Sequence, residues 1–248
     1  MKRISFSWIT SRGVVARVTI GLIVAGFGLL PLRAHAAFHL MEIEQVVGGV
    51  GGDQTAQAVQ LRLRFLGQNL VSGAAALIVR DATGANPVTL STFPGANPAN
   101  NAGCARILLT TAAMVAKTTP AVTGAYTMVA IPPSYLAAGS LTFESAVGGQ
   151  VWWRTSWGGA GYTGAGTTTS VGAGGNDDDG NANPAVAGAL PTATATALKF
   201  NPACATASTN NAAQYSVTPG AAVLTNNAGG TFTVNAPPPI PVFPTVTE

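Results

Sequence analysis

A strict alternation of apolar and polar residues between positions 59 and 65 constrains the fold more than any other feature of this sequence. Successive side chains of a β-strand point to opposite faces of the sheet, so this spacing predicts a half-buried antiparallel strand. The side chains expected in the core are Val59, Leu61, Leu63 and Phe65, and those expected in water are Gln60, Arg62 and Arg64.

Short runs of the same kind recur along the chain and are separated by turns of Gly, Pro and Asn. Many short strands with such turns are typical of a sandwich of two antiparallel sheets. Helical patterns are confined to 111–117 and 132–136, so the sequence predicts an all-β fold. The other predicted strands are 38–47, 75–80, 88–92, 106–110, 126–131, 141–145, 151–157, 196–200, 214–218 and 231–235.

Residues 1–36 have the three parts of a secretory signal peptide. Basic residues precede a largely apolar stretch at 18–32, and Ala34-His35-Ala36 has the small-x-small pattern that signal peptidases cleave. A membrane anchor is the alternative, but the apolar stretch is shorter than the roughly 20 residues that cross a bilayer. The sequence therefore predicts cleavage after Ala36, a secreted product in the medium, the periplasm or at the cell surface, and no membrane span in the mature chain.

Loss of this segment would reverse the sign of the net charge. Of the 12 Lys and Arg residues, five lie within 1–36, whereas all 9 Asp and Glu residues follow it, so 7 − 9 leaves a mature charge of −2. Nucleic acids require clustered basic residues, so the sequence argues against them as partners. Only 8% of the residues are charged, which is typical of extracellular β-proteins with a polar, uncharged surface.

One domain is predicted over 37–235, followed by a Pro-rich tail at 236–248 that is expected to be extended. The Gly/Thr/Ala/Asn-rich stretch 158–191 is predicted to be a long loop within that domain. Cys104 and Cys204 are predicted to form a disulfide, as is usual outside the cytosol; two buried free thiols are the alternative. These cysteines and His39 lack the ligand spacing of a metal site.

Three features of the sequence suggest ligand chemistry. Trp152 and Arg154 share the face of the predicted strand 151–157 that is expected to be exposed, where an aromatic ring could stack on a sugar, while Trp153 and Trp157 are expected in the core. Glu42 and Glu44 share one strand face and could act as an acid-base pair, although a solvated strand face is the simpler interpretation. The run Asp177, Asp178 and Asp179 could hold calcium weakly, or could be a solvated acidic loop without any cofactor.

Two stretches carry the pattern of a known family: FHLMEIEQV at 38–46 and, after a Gly-rich turn, AVQLR at 58–62. They resemble the lamin-tail-like domains of secreted bacterial proteins, which begin with an Ile-x-Glu-Val strand and continue with a Val-Glu-Leu strand. The similarity continues at 67–73, 78–84, 107–110, 197–200 and 208–215. The resemblance implies an immunoglobulin-like antiparallel β-sandwich with long Gly/Thr/Asn-rich loops, used as a binding or accessory module. Gln60 stands where the pattern has Glu, and Gln45 interrupts the Glu-Val pair.

The chain lacks a G-x-S-x-G nucleophile elbow, and the single histidine after the signal lies close to the new N-terminus. We therefore expect a non-catalytic module that binds or builds something outside the cytoplasm, with an extracellular or envelope protein or a glycan as its partner. Carbohydrate binding through exposed tryptophan is one alternative, and a hydrolase with an unrecognised acidic site is the other.

Overall fold

The computed structural model describes residues 38–147, 149–164, 184–206, 208 and 210–235. These residues form an all-β sandwich with antiparallel sheets packed against each other, as the sequence predicts. The strands are β1 Met41–Val47, β2 Ala58–Leu63, β3 Ala75–Arg80, β4 Val88–Ser91, β5 Arg106–Thr110, β6 Thr118–Thr119, β7 Tyr126–Thr127, β8 Gly139–Ser145, β9 Val151–Trp157, β10 Leu198–Phe200, β11 Tyr215–Val217, β12 Val223–Thr225 and β13 Thr231–Val234. Helical turns are short: 3₁₀ segments at Ala112–Lys117, Pro133–Tyr135 and Gly159–Gly161, and one α-helix, α1, at Asn211–Gln214.

The strands form three sheets. A six-stranded sheet has the order β11-β10-β1-β2-β5-β7, a four-stranded sheet the order β4-β3-β8-β9, and a three-stranded sheet the order β12-β13-β6. Pairing is antiparallel except between β5 and β7, which run parallel over two residue pairs.

The six-stranded sheet contributes to two apolar cores because alternate residues of its strands face opposite ways. In β5, Ile107 and Leu109 belong to the main core, which also contains Trp153 and Trp157 from the four-stranded sheet. Leu108, between them, belongs to a second core with residues of the three-stranded sheet. The six-stranded sheet is therefore the middle layer and is covered on both faces.

Tyr215 ties the two large sheets together through its buried hydroxyl group. That hydroxyl accepts hydrogen bonds from Trp153 Nε1 at 2.9 Å and Thr155 Oγ1 at 2.6 Å, and donates one to the carbonyl oxygen of Ile43 at 2.6 Å. Burial raises the pKa of Tyr215, because an ionised phenolate would lose its hydration. The phenol therefore stays neutral and its hydrogen bonds fix the spacing between β1 and β9.

Most strand predictions are confirmed, and the differences fall at the chain's shortest elements. Strands predicted at 75–80, 106–110 and 151–157 have the observed bounds. The strand predicted at 126–131 is reduced to the two residues of β7. Strands β6 and β12 and helix α1 are absent from the sequence prediction because each spans only two to four residues. The predicted burial of Trp153 and Trp157 is also confirmed.

The prediction that Gln60, Arg62 and Arg64 face water is wrong, since all three are buried. Alternate residues of β2 do face opposite sides of the sheet, as predicted, but the face expected in water is covered by the third sheet and by the chain at 202–205. Phe65 is 54% exposed instead of lying in the core, because β2 ends at Leu63.

The predicted disulfide is confirmed: Cys104 and Cys204 are bonded, closing a loop with a sequence separation of 100. The part of the predicted loop 158–191 that the structure describes is not a separate excursion. Val186 pairs with Trp157 as a bridge, and its N–H donates to the carbonyl oxygen of Ser156. No helix among the described residues is long and apolar enough to cross a membrane. The predicted signal at 1–36 and the tail at 236–248 lie outside the described residues.

Candidate functional site

A buried network of charged side chains lies on the face of the six-stranded sheet that is turned away from the main core, where β1, β2 and β5 run side by side. Arg106 grips Glu44 with two hydrogen bonds, Nε to Oε2 at 2.7 Å and Nη2 to Oε1 at 2.9 Å. Arg62 pairs with Glu42 and also reaches Glu44 Oε1 from Nη1 at 3.3 Å. Glu42 and Glu44 are 0% and 2% exposed. The network therefore belongs to the interior of the molecule.

Remote segments of the chain complete this network. Gln60 donates to Glu44 Oε2 at 2.7 Å and accepts from the N–H of Thr225 in β12 at 2.5 Å. Arg62 Nη2 donates to the carbonyl oxygen of Pro202 at 3.0 Å, and Arg64 Nη2 to that of Ala205 at 3.2 Å. The disulfide at Cys204 anchors this covering segment to the start of β5.

The predicted solvated face for Glu42 and Glu44 is wrong, because both carboxylates are buried. Burial raises the pKa of Glu42 to about 7, despite the opposing charge of Arg62. Glu42 Oε2 accepts no hydrogen bond among the described residues. Neither carboxylate lines the cavities described below, so no substrate reaches them there.

A groove opens beside β5, on the edge of the six-stranded sheet. It holds a cavity of about 410 Å³, within the roughly 300–1,000 Å³ range of ligand pockets. Ile107 and Leu108 form its floor. The remaining lining residues come from the loop after β4, the approach to β7 and the β12–β13 turn: Pro94, Ala96, Pro98, Ala99, Gly124, Ala125, Tyr126, Thr127, Asn226, Asn227 and Ala228. The described lining residues are uncharged, and most of them are apolar, with Asn226, Asn227, Thr127 and the Tyr126 hydroxyl as the polar groups.

Side-chain hydrogen bonds hold the walls of this groove in place. The Asn227 amide accepts from the N–H of Asn100 at 2.7 Å and donates to the carbonyl oxygens of Asn100 and Arg106, both at 3.0 Å. Tyr126 donates its hydroxyl hydrogen to the carbonyl oxygen of Ala96 at 2.5 Å. The groove is therefore preformed rather than a gap between loose loops.

Strand β7 covers only part of the edge of β5 that faces the groove. Strand β7 pairs with β5 only at Leu109 and Thr110. Each residue of an antiparallel strand directs its N–H and C=O to one edge, and neighbouring residues alternate. Arg106 O bonds Asn227 and Thr110 O bonds Met128 N on this edge, so Leu108 between them directs its backbone groups to the same side.

Two smaller cavities adjoin the groove. One, of about 270 Å³, shares Asn226 and Asn227 with it and is lined by Arg106 and the 100–105 segment. The other, of about 200 Å³, shares Gly124, Ala125 and Thr127 with the groove. Each of the smaller cavities is therefore a direct neighbour of the groove.

The structure does not support the predicted sugar platform at Trp152 and Arg154. Trp152 is 4% exposed and packs in the main core with its ring 5.0 Å from that of Phe38 and 5.8 Å from that of Phe143. The register shifts between Phe143 and Glu144, where β8 pairs with β9, which turns Trp152 inward. Arg154 lies on the outer face of the four-stranded sheet, also buried, close to Glu144 and Tyr162.

No site for a metal ion appears in the described parts of the chain, where no three His, Cys, Asp or Glu residues cluster suitably. The predicted calcium ligands Asp177, Asp178 and Asp179 lie outside the described residues. Comparison with family models, curated proteins and solved structures finds no match to this chain. The resemblance to lamin-tail-like domains therefore stays a prediction.

Sequence reasoning missed the groove because its walls come from three distant segments. Loop 94–100, the approach to β7 and the turn 226–228 each look like an ordinary Gly, Pro, Ala or Asn turn. The available signal was the density of asparagine in two of these turns, at 97–101 and at 226–227, since amides often replace missing strand partners.

Proposed function

We propose that this protein is a non-catalytic binding module that holds an extended polypeptide segment of another protein in the groove beside β5. The observation that carries the proposal is a walled cavity of about 410 Å³ along the part of the β5 edge that precedes its pairing with β7 at Leu109. Extended peptides commonly bind by adding a strand to such an edge, with side-chain pockets supplying specificity.

The groove's chemistry favours a peptide with small or apolar side chains over its central part. The walls offer Pro94, Ala96, Pro98 and Ala125 as apolar surface, and none of the described residues that line this cavity is charged. Asn227 shows how a ligand would bind, because its amide already occupies the position of a strand partner next to Arg106. A peptide lying alongside would extend that pattern along the groove.

The proposal is tested by selecting ligands for the full chain from a random dodecapeptide library displayed on phage. Ala228 is exposed and lines the groove, so Ala228→Trp places an indole at the mouth without disturbing the core. The matched control is Ala221→Trp, at an exposed residue that lines none of the three cavities. We expect Ala228→Trp to weaken the selected peptides by about ten-fold or more, and Ala221→Trp by less than about two-fold.

Two outcomes contradict the proposal. One is a selection that returns no peptide whose binding to the protein can be measured by fluorescence polarisation. The other is peptide binding that Ala228→Trp leaves unchanged. A glycan array that yields a ligand sensitive to Ala228→Trp would replace the peptide with a sugar.

We propose that the module acts outside the cytoplasm. The support is the signal-like sequence at 1–36 together with the disulfide between Cys104 and Cys204, since such bonds persist in oxidising compartments. Intact-mass analysis after expression of the full gene should find a product that begins at Ala37. A product that retains residues 1–36 in the cytoplasm would refute this.

A further inference from the structure

We infer that the segment bound in the groove carries an acidic side chain, which Arg106 binds in the adjoining cavity of about 270 Å³. This inference rests on the proposed function and adds the chemistry of the ligand. It makes Arg106 a specificity-determining residue.

The position of Arg106 follows from how the cavities connect. The groove and the second cavity share Asn226 and Asn227 as lining residues, so a ligand that extends past this pair enters the second cavity. Among the described residues that line the three cavities, Arg106 is the single charged one. A segment leaving the uncharged groove in this direction therefore meets one guanidinium group.

One edge of that guanidinium is available. Its Nε and Nη2 both donate to Glu44, which fixes the plane of the group, whereas Nη1 makes no hydrogen bond among the described residues. The side chain is 34% exposed, unlike the buried Arg62 beside it. Nη1 thus offers N–H donors in a fixed orientation for a charge-assisted hydrogen bond to a carboxylate.

The local balance of charge favours an incoming anion. The Glu44 carboxylate is shared, because it accepts from Arg62 and Gln60 as well as from Arg106. Glu42, the other carboxylate of the network, is fully buried and directed at Arg62. Its pKa of about 7 leaves part of the population neutral at physiological pH, so Glu42 offsets the arginine charge incompletely.

The test uses matched peptides taken from the selection described above. We expect the tightest peptides to contain one Asp or Glu toward one end, and replacing it by Asn or Gln to weaken binding about ten-fold. The same replacement should cost less than about two-fold against Arg106→Gln, because the partner is then missing. Thermal melting identifies any loss of folding in that variant.

A second variant keeps the test decisive if Arg106→Gln does not fold. Asn100 is exposed and lines the same cavity, and its Oδ1 accepts from the N–H of Ala102, a role that aspartate can keep. Asn100→Asp should weaken the acidic peptide about five-fold or more and leave its neutral counterpart within about two-fold.

Peptides that bind the groove with equal affinity in acidic and neutral forms would overturn this inference and leave the proposed function standing. Failure to obtain any peptide sensitive to Ala228→Trp would remove both.

Discussion

Both large sheets carry buried charged side chains on the face turned away from the main core. These side chains are more completely covered on the six-stranded sheet than on the four-stranded sheet. On the six-stranded sheet, Glu42 and Glu44 are enclosed by arginines, by a third sheet and by a segment that the disulfide anchors. On the four-stranded sheet, Arg80 donates to Thr142 at 2.6 Å and to Glu144 at 3.1 Å, and its own side chain remains 18% exposed.

Part of the covering of the four-stranded sheet comes from its own neighbourhood in the sequence. The chain leaves β9 at Gly158, whose φ of 101° and close approach to Ala138 exclude a larger residue, and Tyr162 then lies near Arg154. The covering of the six-stranded sheet comes from segments about 140 residues away in sequence, as in the contact between Arg62 and Pro202. The remote segments that cover the six-stranded sheet are held by the disulfide between Cys104 and Cys204, and the cavities described above lie at the edge of this covered region.

The largest expected effect comes from removing that bond. The pair Cys104→Ser and Cys204→Ser should lower the free energy of unfolding by about 4–5 kcal/mol, because the bridge closes a loop of 100 residues in the unfolded chain. Chemical denaturation measures the loss. Hydrogen exchange should increase in β10 and β2 while β8 and β9 stay protected. A uniform loss of protection would show that the segments covering the two large sheets are not stabilised independently of each other.

The next effect compares one arginine from each face. Arg62→Leu should cost about 3–5 kcal/mol at pH 8, because it leaves Glu42 buried without its partner. Arg80→Leu should cost about 1–3 kcal/mol, since Glu144 keeps Arg154 nearby and Arg80 is partly solvated. Urea denaturation of both variants checks the order. Equal losses of unfolding free energy would mean that the burial of an ion pair does not determine how much its removal destabilises the protein.

The pH dependence of stability distinguishes the carboxylates. The pKa of Glu42 rises from 4.5 to about 7 on folding, so between these values the folded state binds more protons than the unfolded state. Stability should therefore fall as pH rises through this window, by up to about 3 kcal/mol, and Glu42→Gln should remove this fall.

The matched variant for this measurement is Glu144→Gln. Burial also raises the pKa of Glu144, but Arg80 and Arg154 oppose the rise, so this substitution should flatten the pH profile less than Glu42→Gln. Guanidinium denaturation at intervals from pH 4 to pH 8 gives both profiles. A profile that Glu42→Gln leaves unchanged would refute the role assigned to its buried carboxyl.

The smallest expected effect comes from a partly exposed ion pair, which serves as the reference for the buried ion pairs of both sheets. Lys117 Nζ lies 3.5 Å from Asp53 Oδ2 in a pair that is about one-third exposed. Lys117→Met should change stability by less than about 1 kcal/mol, because water and salt screen such pairs. Thermal melts in low and high salt check this, and a larger loss would show that exposure does not separate the ion pairs of this protein.

Local pattern predicted the strands well and the candidate site poorly. Strands β3, β5 and β9 have their predicted bounds because their apolar residues repeat with the strand period. Trp152 was assigned to the wrong side because a register shift in β8–β9 pairing, invisible in the sequence, rotates it inward. The groove was missed because loops distant in sequence must meet before it exists.

The sequence by itself determined the class of fold, the pairing of its two cysteines and the division of β2 into an apolar and a polar face. Only the tertiary structure decided that the polar face of β2 is interior. A strand that alternates leucine with arginine has the same pattern whether its arginines meet water or buried glutamates. The choice depends on segments far along the chain, which cover Arg62 and leave Arg106 at the edge of a cavity.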